Sequence, residues 1–229
     1  MIRFIILFLS LVCSYSFAES NYRKELENFA QALVLEKYHS LYQLQENEKL
    51  ELNVAPLDKR INYPKCETGL TGELVNNKIK LTTSVKVTCL DEKQWINYIR
   101  VRVNVLQKVV VVNDSLSKGQ VITQDNIKMV YLSKSRIRNG SFDSLESLYG
   151  VRLKRNLTEN KIIKNRDVCF VCKGDKVTIN AIKTGLSIRA SGVALHDANI
   201  GNTVRVRNSR TQRIVVGTVY GLKAVNVSF

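Results

Sequence analysis

Five cysteines and two histidines are the side chains of this 229-residue chain whose types and spacing could do chemistry. Cys169-Phe170-Val171-Cys172 has the Cys-x-x-Cys spacing of redox pairs. A redox-active thiol of that kind sits at a helix amino terminus, which lowers its pKa. Here the motif runs instead into Lys173-Gly174-Asp175-Lys176 and a β-like segment. Positions three apart in extended chain stand about 10 Å apart, so bridging them requires a turn or bulge. A local disulfide and two free thiols both stay open. Structural zinc needs four ligands, and enlisting Cys66 and Cys89 as well would forfeit a bridge between those two, so no metal site is expected. His39 falls in a helical stretch, and His196 stands beside Asp197. Adjacent residues rarely orient one another, and no Ser or Cys nucleophile is placed to use this pair. Gly185, Gly192 and Gly201 are spaced as turns, not as a phosphate-cradling loop. The chain therefore reads as a non-enzyme without a cofactor.

The elements around these residues begin with an export signal. Arg3 supplies a positive start, Phe4 to Val12 is almost wholly apolar, and Ser16-Phe17-Ala18 places small residues before Glu19. That run is too short to span a bilayer, which takes about 20 residues, and the bulky Val12 argues against lipid attachment at Cys13. Residues 1–18 are read as a signal peptide and residues 19–229 as an extracytoplasmic product with no stable membrane insertion. Its charge is uneven. Residues 19–149 hold 19 Lys/Arg against 16 Asp/Glu, whereas residues 150–229 hold 15 against 4. Such a basic region is the footprint of a polyanion binder. Export makes nucleic acid an unsuitable target and leaves acidic protein surfaces, anionic cell-wall polymer or lipid headgroups. Four cysteines remain after the signal, and three pairings are formally possible. In an oxidising compartment a structural bridge is the default for two cysteines flanking strand-like segments. Cys66–Cys89 would close a loop worth about 3 kcal/mol in the loop-entropy account.

Residues 20–46 place Leu26, Phe29, Leu33 and the run from Val34 to Leu41 at three- and four-residue steps. This predicts an amphipathic helix, capped by Ser20 or Asn21, that covers its own domain's core. From Gly69 the chain turns β-rich: a turn at Asn76-Asn77, alternation from Lys78 to Thr88, and a strand from Trp95 to Val105. In that strand Ile99, Val101, Val103 and Val105 share one face and Arg100 and Arg102 the other. Val109 to Val112 reads as a strand buried on both faces. The chain then repeats itself, setting Leu116 on Leu157, Gly119 on Asn160, and Val121-Ile122 on Ile162-Ile163. Gly and Asn best tolerate a left-handed backbone, so the two copies predict a pseudo-symmetric β-clip. Phe142 to Tyr149 reads as a short helix with Gly150 after it as a C-cap. The last sixty residues alternate short strands (Val177–Ile179, Leu186–Ala190, Thr203–Arg207, Arg213–Val219, Ala224–Val227) with Gly or Asn turns, which predicts a small barrel or sandwich. Val204 and Val206 pack inward there, leaving Arg205 and Arg207 on one face.

Three segments together resemble the flagellar P-ring assembly chaperone family (FlgA). They are Leu57-Asp58-Lys59-Arg60 before Cys66, with Cys89 and Trp95 following; the repeated unit from Val109 to Ile163; and Val204-Arg205-Val206-Arg207-Asn208 followed by the Val-x-Gly-x-Val strand to Val219. The middle segment also resembles the SAF (antifreeze-like) module of sialic-acid synthases and pilus assembly proteins, which is weak evidence for function. The resemblance covers essentially all of residues 19–229. Asn160 stands where the family usually has Gly, Ala198-Asn199 replaces the usual Gly before Gly201, and Cys169 and Cys172 are no feature of the pattern. The resemblance implies a mostly β, α+β chain: a helix with a disulfide-stapled β domain over 19–106, a β-clip over 107–166 and a β domain over 167–229. It implies a periplasmic, non-enzymatic chaperone of a Gram-negative bacterium that escorts the P-ring subunit to the flagellar rod and assists its polymerisation. A basic surface or strand edge of the carboxy-terminal half would hold the subunit, with Arg205, Arg207, Arg210 and Arg213 as candidate contacts. An anionic cell-wall surface is a further candidate partner. The rival readings are a binder of cell-wall glycan or acidic sugar and a pilus-assembly component.

Overall fold

A computed structural model describes residues 2–137, 140–183 and 186–228, with the side chains of 2–21, 182, 183, 186, 187 and 228 outside that description. The chain divides into two compact units, Met1–Leu106 and Gln107–Phe229. In the first, helix α1 (Ile2–Leu41) precedes strands β1 (Glu48–Val54), β2 (Leu70–Leu74), β3 (Thr82–Cys89) and β4 (Trp95–Val112). The sheet order is β1-β4-β3-β2, with β3 antiparallel to both β2 and β4. Period-two alternation turns Val85, Val87, Ile99 and Val101 to one face. Leu26, Ala30, Val34 and Tyr38, four residues apart on α1, bury with them. A Cβ at Gly72 would lie 2.8 Å from both Phe29 Cε1 and Leu33 Cδ1, so only glycine lets α1 lie this close over β2.

Several boundaries differ from the expectation. The helix begins at Ile2 rather than after Ser20 or Asn21, and ends at Leu41 rather than residue 46. The leader reading and the question of Cys13 rest on side chains outside the described residues. Strand β3 starts at Thr82, because Thr83 Oγ1 accepts from Lys80 N–H and donates to Lys80 O, each at 3.0 Å, holding 80–83 as a turn. Asn77 takes a positive φ of 49°, as a turn there requires. The two strands expected over 95–105 and 109–112 are one, since Leu106-Gln107-Lys108 contains no turn-forming residue to break it.

In the second unit come β5 (Ile127–Ser133), β6 (Arg152–Leu153), β7 (Val168–Cys169), β8 (Lys176–Lys183), β9 (Leu186–Ala194), β10 (Thr203–Asn208), β11 (Ile214–Gly221) and β12 (Ala224–Ser228). The 41-residue repeat is a local two-fold. Leu116 and Leu157, equivalent residues, exchange both backbone hydrogen bonds, at 2.8 and 2.9 Å. Gly119 N–H donates to Leu153 O and Asn160 N–H to Val112 O, while Ile122 N–H donates to Val151 O and Ile163 N–H to Val110 O. Each of these pairs interconverts on adding or subtracting 41. Gly119 and Asn160 have φ of 85° and 58°, so Asn160 does adopt the left-handed backbone that its alignment on glycine demanded.

The same turn occurs twice more. Val171 and Ala198 exchange both backbone bonds, at 3.0 and 2.7 Å, and Gly174 and Gly201 have φ of 88° and 82°. In all four turns the residue after the Gly or Asn donates to the carbonyl three back: Gln120 to Ser117, Lys161 to Thr158, Asp175 to Cys172, Asn202 to Asn199. Positive φ at the third position is the mark of a type II turn. Strands β10-β11-β12-β8-β9 close into a barrel, antiparallel throughout except for the β12–β8 pair. Gly192, expected between strands, lies inside β9, where a Cβ would meet Arg207 O and Ile179 Cδ1, each at 2.8 Å. A barrel this small admits no side chain there. Gly185 falls outside the described residues. The helix expected over 142–149 is a single 3-10 turn, Glu146–Leu148, followed by Gly150 at φ 80°. One continuous hydrophobic cluster, from Val110 to Val227, serves clip and barrel alike.

Candidate partner-binding surface

The candidate arginines sit on and beyond the β10–β11 hairpin. Alternation buries Val204 and Val206 and leaves Arg205 and Arg207 exposed. Arg207 lies in register between Val193 of β9 and Ile214 of β11, and Arg205 faces Val216. These aliphatic neighbours are themselves exposed, at 39% for Val193, 46% for Ile214 and 58% for Val216. The barrel's outer face thus interleaves guanidinium groups with apolar side chains. Asn208 Oδ1 accepts the N–H groups of Arg210 and Thr211, at 2.9 and 3.0 Å, and Asn208 N–H donates to Arg213 O at 2.9 Å. Gln212 closes the turn at φ 57°. That hydrogen-bonded turn holds Arg210 and Arg213 at one end of the face.

Among the described residues no acidic side chain pairs with these charges. Of the four acids in residues 150–229, Asp175 is paired with Arg152, Asp167 with Arg155 and Asp197 with Lys154. Glu159 accepts from the Asn160 side chain. Among the described residues Arg205, Arg207, Arg210 and Arg213 have no ion pair. The two buried acids do structural work: Asp167 Oδ2 accepts Lys164 N–H at 2.9 Å, and Asp175 Oδ2 accepts Cys172 N–H at 2.8 Å. A strand edge, the other form of surface expected here, is ruled out for the barrel, in which every strand has two bonded neighbours.

His196 serves the same face structurally. Its Nε2 accepts the Arg205 N–H at 3.2 Å, while Leu195 N–H donates to Arg205 O at 2.9 Å. The ring extends the pairing of β10 past the end of β9.

Both cysteine pairs are bridged. Cys66–Cys89 spans 5.8 Å between Cα atoms and Cys169–Cys172 spans 5.3 Å. The second bridge is possible because the chain bends at Phe170, between the two cysteines, which shortens the roughly 10 Å of an extended segment. Asp91 lies beside Cys66 and Cys89, a trio with metal-ligand side chains. Both sulfurs are spent on the disulfide, and Asp91 instead fastens the loop. It accepts from Glu67 N–H at 2.9 Å, Thr68 N–H at 2.9 Å and Thr68 Oγ1 at 2.6 Å. The Thr68 hydroxyl, then the two amides, hold the Asp91 carboxyl below its ordinary value. Cys66 N–H donates to Tyr22 Oη at 2.9 Å, tying the bridge to α1, and burial pushes that phenol up.

The alternation in the sequence does place Arg205 and Arg207 outward, but it does not reveal the exposed Val193, Ile214 and Val216 beside them. Ile214-Val215-Val216 is apolar without a break, so its inward parity is readable only from Gly217 and Val219, which bury. Among the described residues no helix is long and apolar enough to cross a membrane.

The family model described as "Chaperone for flagella basal body P-ring formation" matches residues 107–227. The Leu57–Leu70 segment lies outside that span. The chain is 29% identical over 121 residues to the "Flagellar protein FlgA" of Rhizobium meliloti, covering 52% of this chain and 72% of that protein. It is 27% identical over 104 residues to the protein of the same name from Agrobacterium fabrum, covering 44% and 64%. The crystal structure of Salmonella FlgA in open form aligns at 17% identity and a TM-score of 0.43, over 91% of this chain and 93% of that one. The flagellar protein FlgA from Thermotoga maritima aligns at 17% and 0.45, over 86% and 70%. Because the family model covers 121 of 229 residues, the chain belongs to the family of chaperones for flagella basal body P-ring formation.

Proposed function

We propose that this chain is an exported periplasmic chaperone that binds the flagellar P-ring subunit through the outer face of β10 and β11 and assists its assembly around the rod. One observation carries the reading: four arginines that have no acid partner among the described residues, two of them (Arg205 and Arg207) in register with three exposed aliphatic side chains, on a barrel whose strand edges are all paired. A face of that composition suits a folded client with acidic groups among apolar ones. Arginine is among the types that concentrate binding energy, the aliphatic neighbours supply complementary apolar surface, and exposed charges chiefly raise the association rate. Cleavage of a leader after residue 18 would deliver the chain to that compartment.

The test is charge reversal, Arg205→Glu with Arg207→Glu, in the full chain. The expected result is binding to purified ring subunit weakened by about tenfold or more, mostly through slower association, with a flatter salt dependence. Motility should fall in parallel. Unchanged binding and motility would sink the electrostatic reading. Retained binding to the subunit with lost binding to cell-wall material would move the face to the glycan reading.

A further inference from the structure

The first unit carries a second basic face that the barrel does not account for. On β4 the residues alternating with the buried Ile99, Val101 and Val103 are Ile96, Tyr98, Arg100 and Arg102. Helix α1 covers the opposite face of this sheet. Ile96 is 55% exposed and Tyr98 60%. Arg100 and Arg102, with Thr82, Asn53, Val54 and Ala55, line an open groove of about 350 Å³. Cross-strand register sets Thr82 beside Arg102 and Ser84 beside Arg100, giving each guanidinium a hydroxyl neighbour.

Acidic side chains of the protein leave these two groups unanswered. Glu73, on the same face, is taken by Lys86 at 2.9 Å, and among the described residues neither Arg100 nor Arg102 has an ion pair. Two positions apart on a strand, the arginines are separated by about 7 Å. Carboxylates two apart on an extended ligand have the same spacing, and guanidinium binds carboxylate through two parallel hydrogen bonds. Beyond them Tyr98 and Ile96 continue the row at the same period with aromatic and aliphatic surface. Tyr and Arg are the residues over-represented where binding energy concentrates.

We infer that this face is a docking site for an extended acidic segment of a partner protein, of the pattern acidic-x-acidic followed by apolar residues two and four positions on. The site is independent of the barrel surface and stands whether or not that surface holds the ring subunit. The occupant is a protein segment and not a free anion, because the guanidinium pair and the apolar row are complementary to one chain bearing both.

The probe is a fluorescein-labelled peptide, Glu-Thr-Glu-Thr-Leu-Thr-Phe, titrated against the full chain at low salt and read by anisotropy. Binding is expected, weakened about tenfold or more by Arg100→Glu with Arg102→Glu, and unaffected by Arg205→Glu with Arg207→Glu. A peptide of the same composition with the two glutamates adjacent should bind several-fold more weakly. Trp95 emission checks that the Arg100/Arg102 variant is folded, and circular dichroism melts check the Arg205/Arg207 variant. Equal binding by the Arg100/Arg102 variant, equal binding by the adjacent-glutamate peptide, or no binding at millimolar concentration would overturn the inference. Free glutarate competing as well as the peptide would overturn it too, since the site would then be only an anion subsite. If only the Arg205/Arg207 variant lost the peptide, the site would be the barrel face and not this one.

Discussion

Replacing Cys66 and Cys89 together by alanine should destabilise the first unit by an amount set mainly by chain statistics. The bridge closes residues 66 to 89, a 24-residue loop. The loop-entropy relation gives about 3.4 kcal/mol at 25 °C for that length. The same relation gives only about 1.9 kcal/mol for the four-residue loop of Cys169–Cys172. Cys89 is fully buried, so loss of its sulfur adds a cavity cost of order 1 kcal/mol. The chain's single tryptophan, Trp95, lies in register with Cys89 and therefore reports on this unit alone. With a guanidinium slope of about 2.5 kcal/mol per molar for a unit of this size, the Trp95 midpoint should drop by about 1.4 M or more. Wild-type chain under reductant should show the entropic part of the shift but not the cavity part, and reductant should leave the variant unchanged. A shift below about 0.4 M would refute the entropic reasoning. So would an equal Trp95 shift from Cys169→Ala with Cys172→Ala.

Two further outcomes follow from local geometry. Asn160→Gly should change stability by less than about 0.5 kcal/mol, whereas Asn160→Val should cost about 1–2 kcal/mol, because a β-branched residue resists the left-handed backbone; thermal melts followed by circular dichroism distinguish the two. Asp91 has a folded value held below its unfolded one by Thr68 and the Glu67 amide, so its contribution is present above the unfolded value near 3.8 and disappears as pH falls through the folded value. The gap between wild type and Asp91→Asn in Trp95 midpoint should accordingly hold from pH 8 to 6 and close in acid; a gap that persists at pH 2 counts against the assignment.

Much of the second unit was legible because its signals are local. Gly119, Asn160 and Gly201 mark left-handed turns by residue type alone, and the alternation from Thr203 to Arg207 sets the outward arginines. Two of the four equivalent turns escaped notice although Val171-Cys172-Lys173-Gly174-Asp175 and Ala198-Asn199-Ile200-Gly201-Asn202 carry the same string of apolar, two variable residues, glycine and polar. A cysteine stands at the variable position of one and Asn199 at that of the other, so residue identity masks the likeness. Gly192 was misplaced for a different reason: its absent side chain answers the interior of a closed barrel, and closure depends on the parallel β12–β8 pair, which no local pattern announces. The bridging of Cys169 and Cys172 likewise turned on the direction of the chain between them, which spacing alone leaves open.

That parallel pair has a consequence in time. Ala224 of β12 sits opposite Thr178 of β8, 46 positions earlier, and Val225 and Val227 complete the cluster that begins at Val110. A ribosome adding about 5–20 residues per second needs roughly 2–9 s to make the stretch between the two partners. Throughout that interval the β8 edge that β12 will cover stands open, and β11, once made, borders the same vacant place. The chain therefore passes through an open-edged stage of its own, and the five residues of its last strand are what end it.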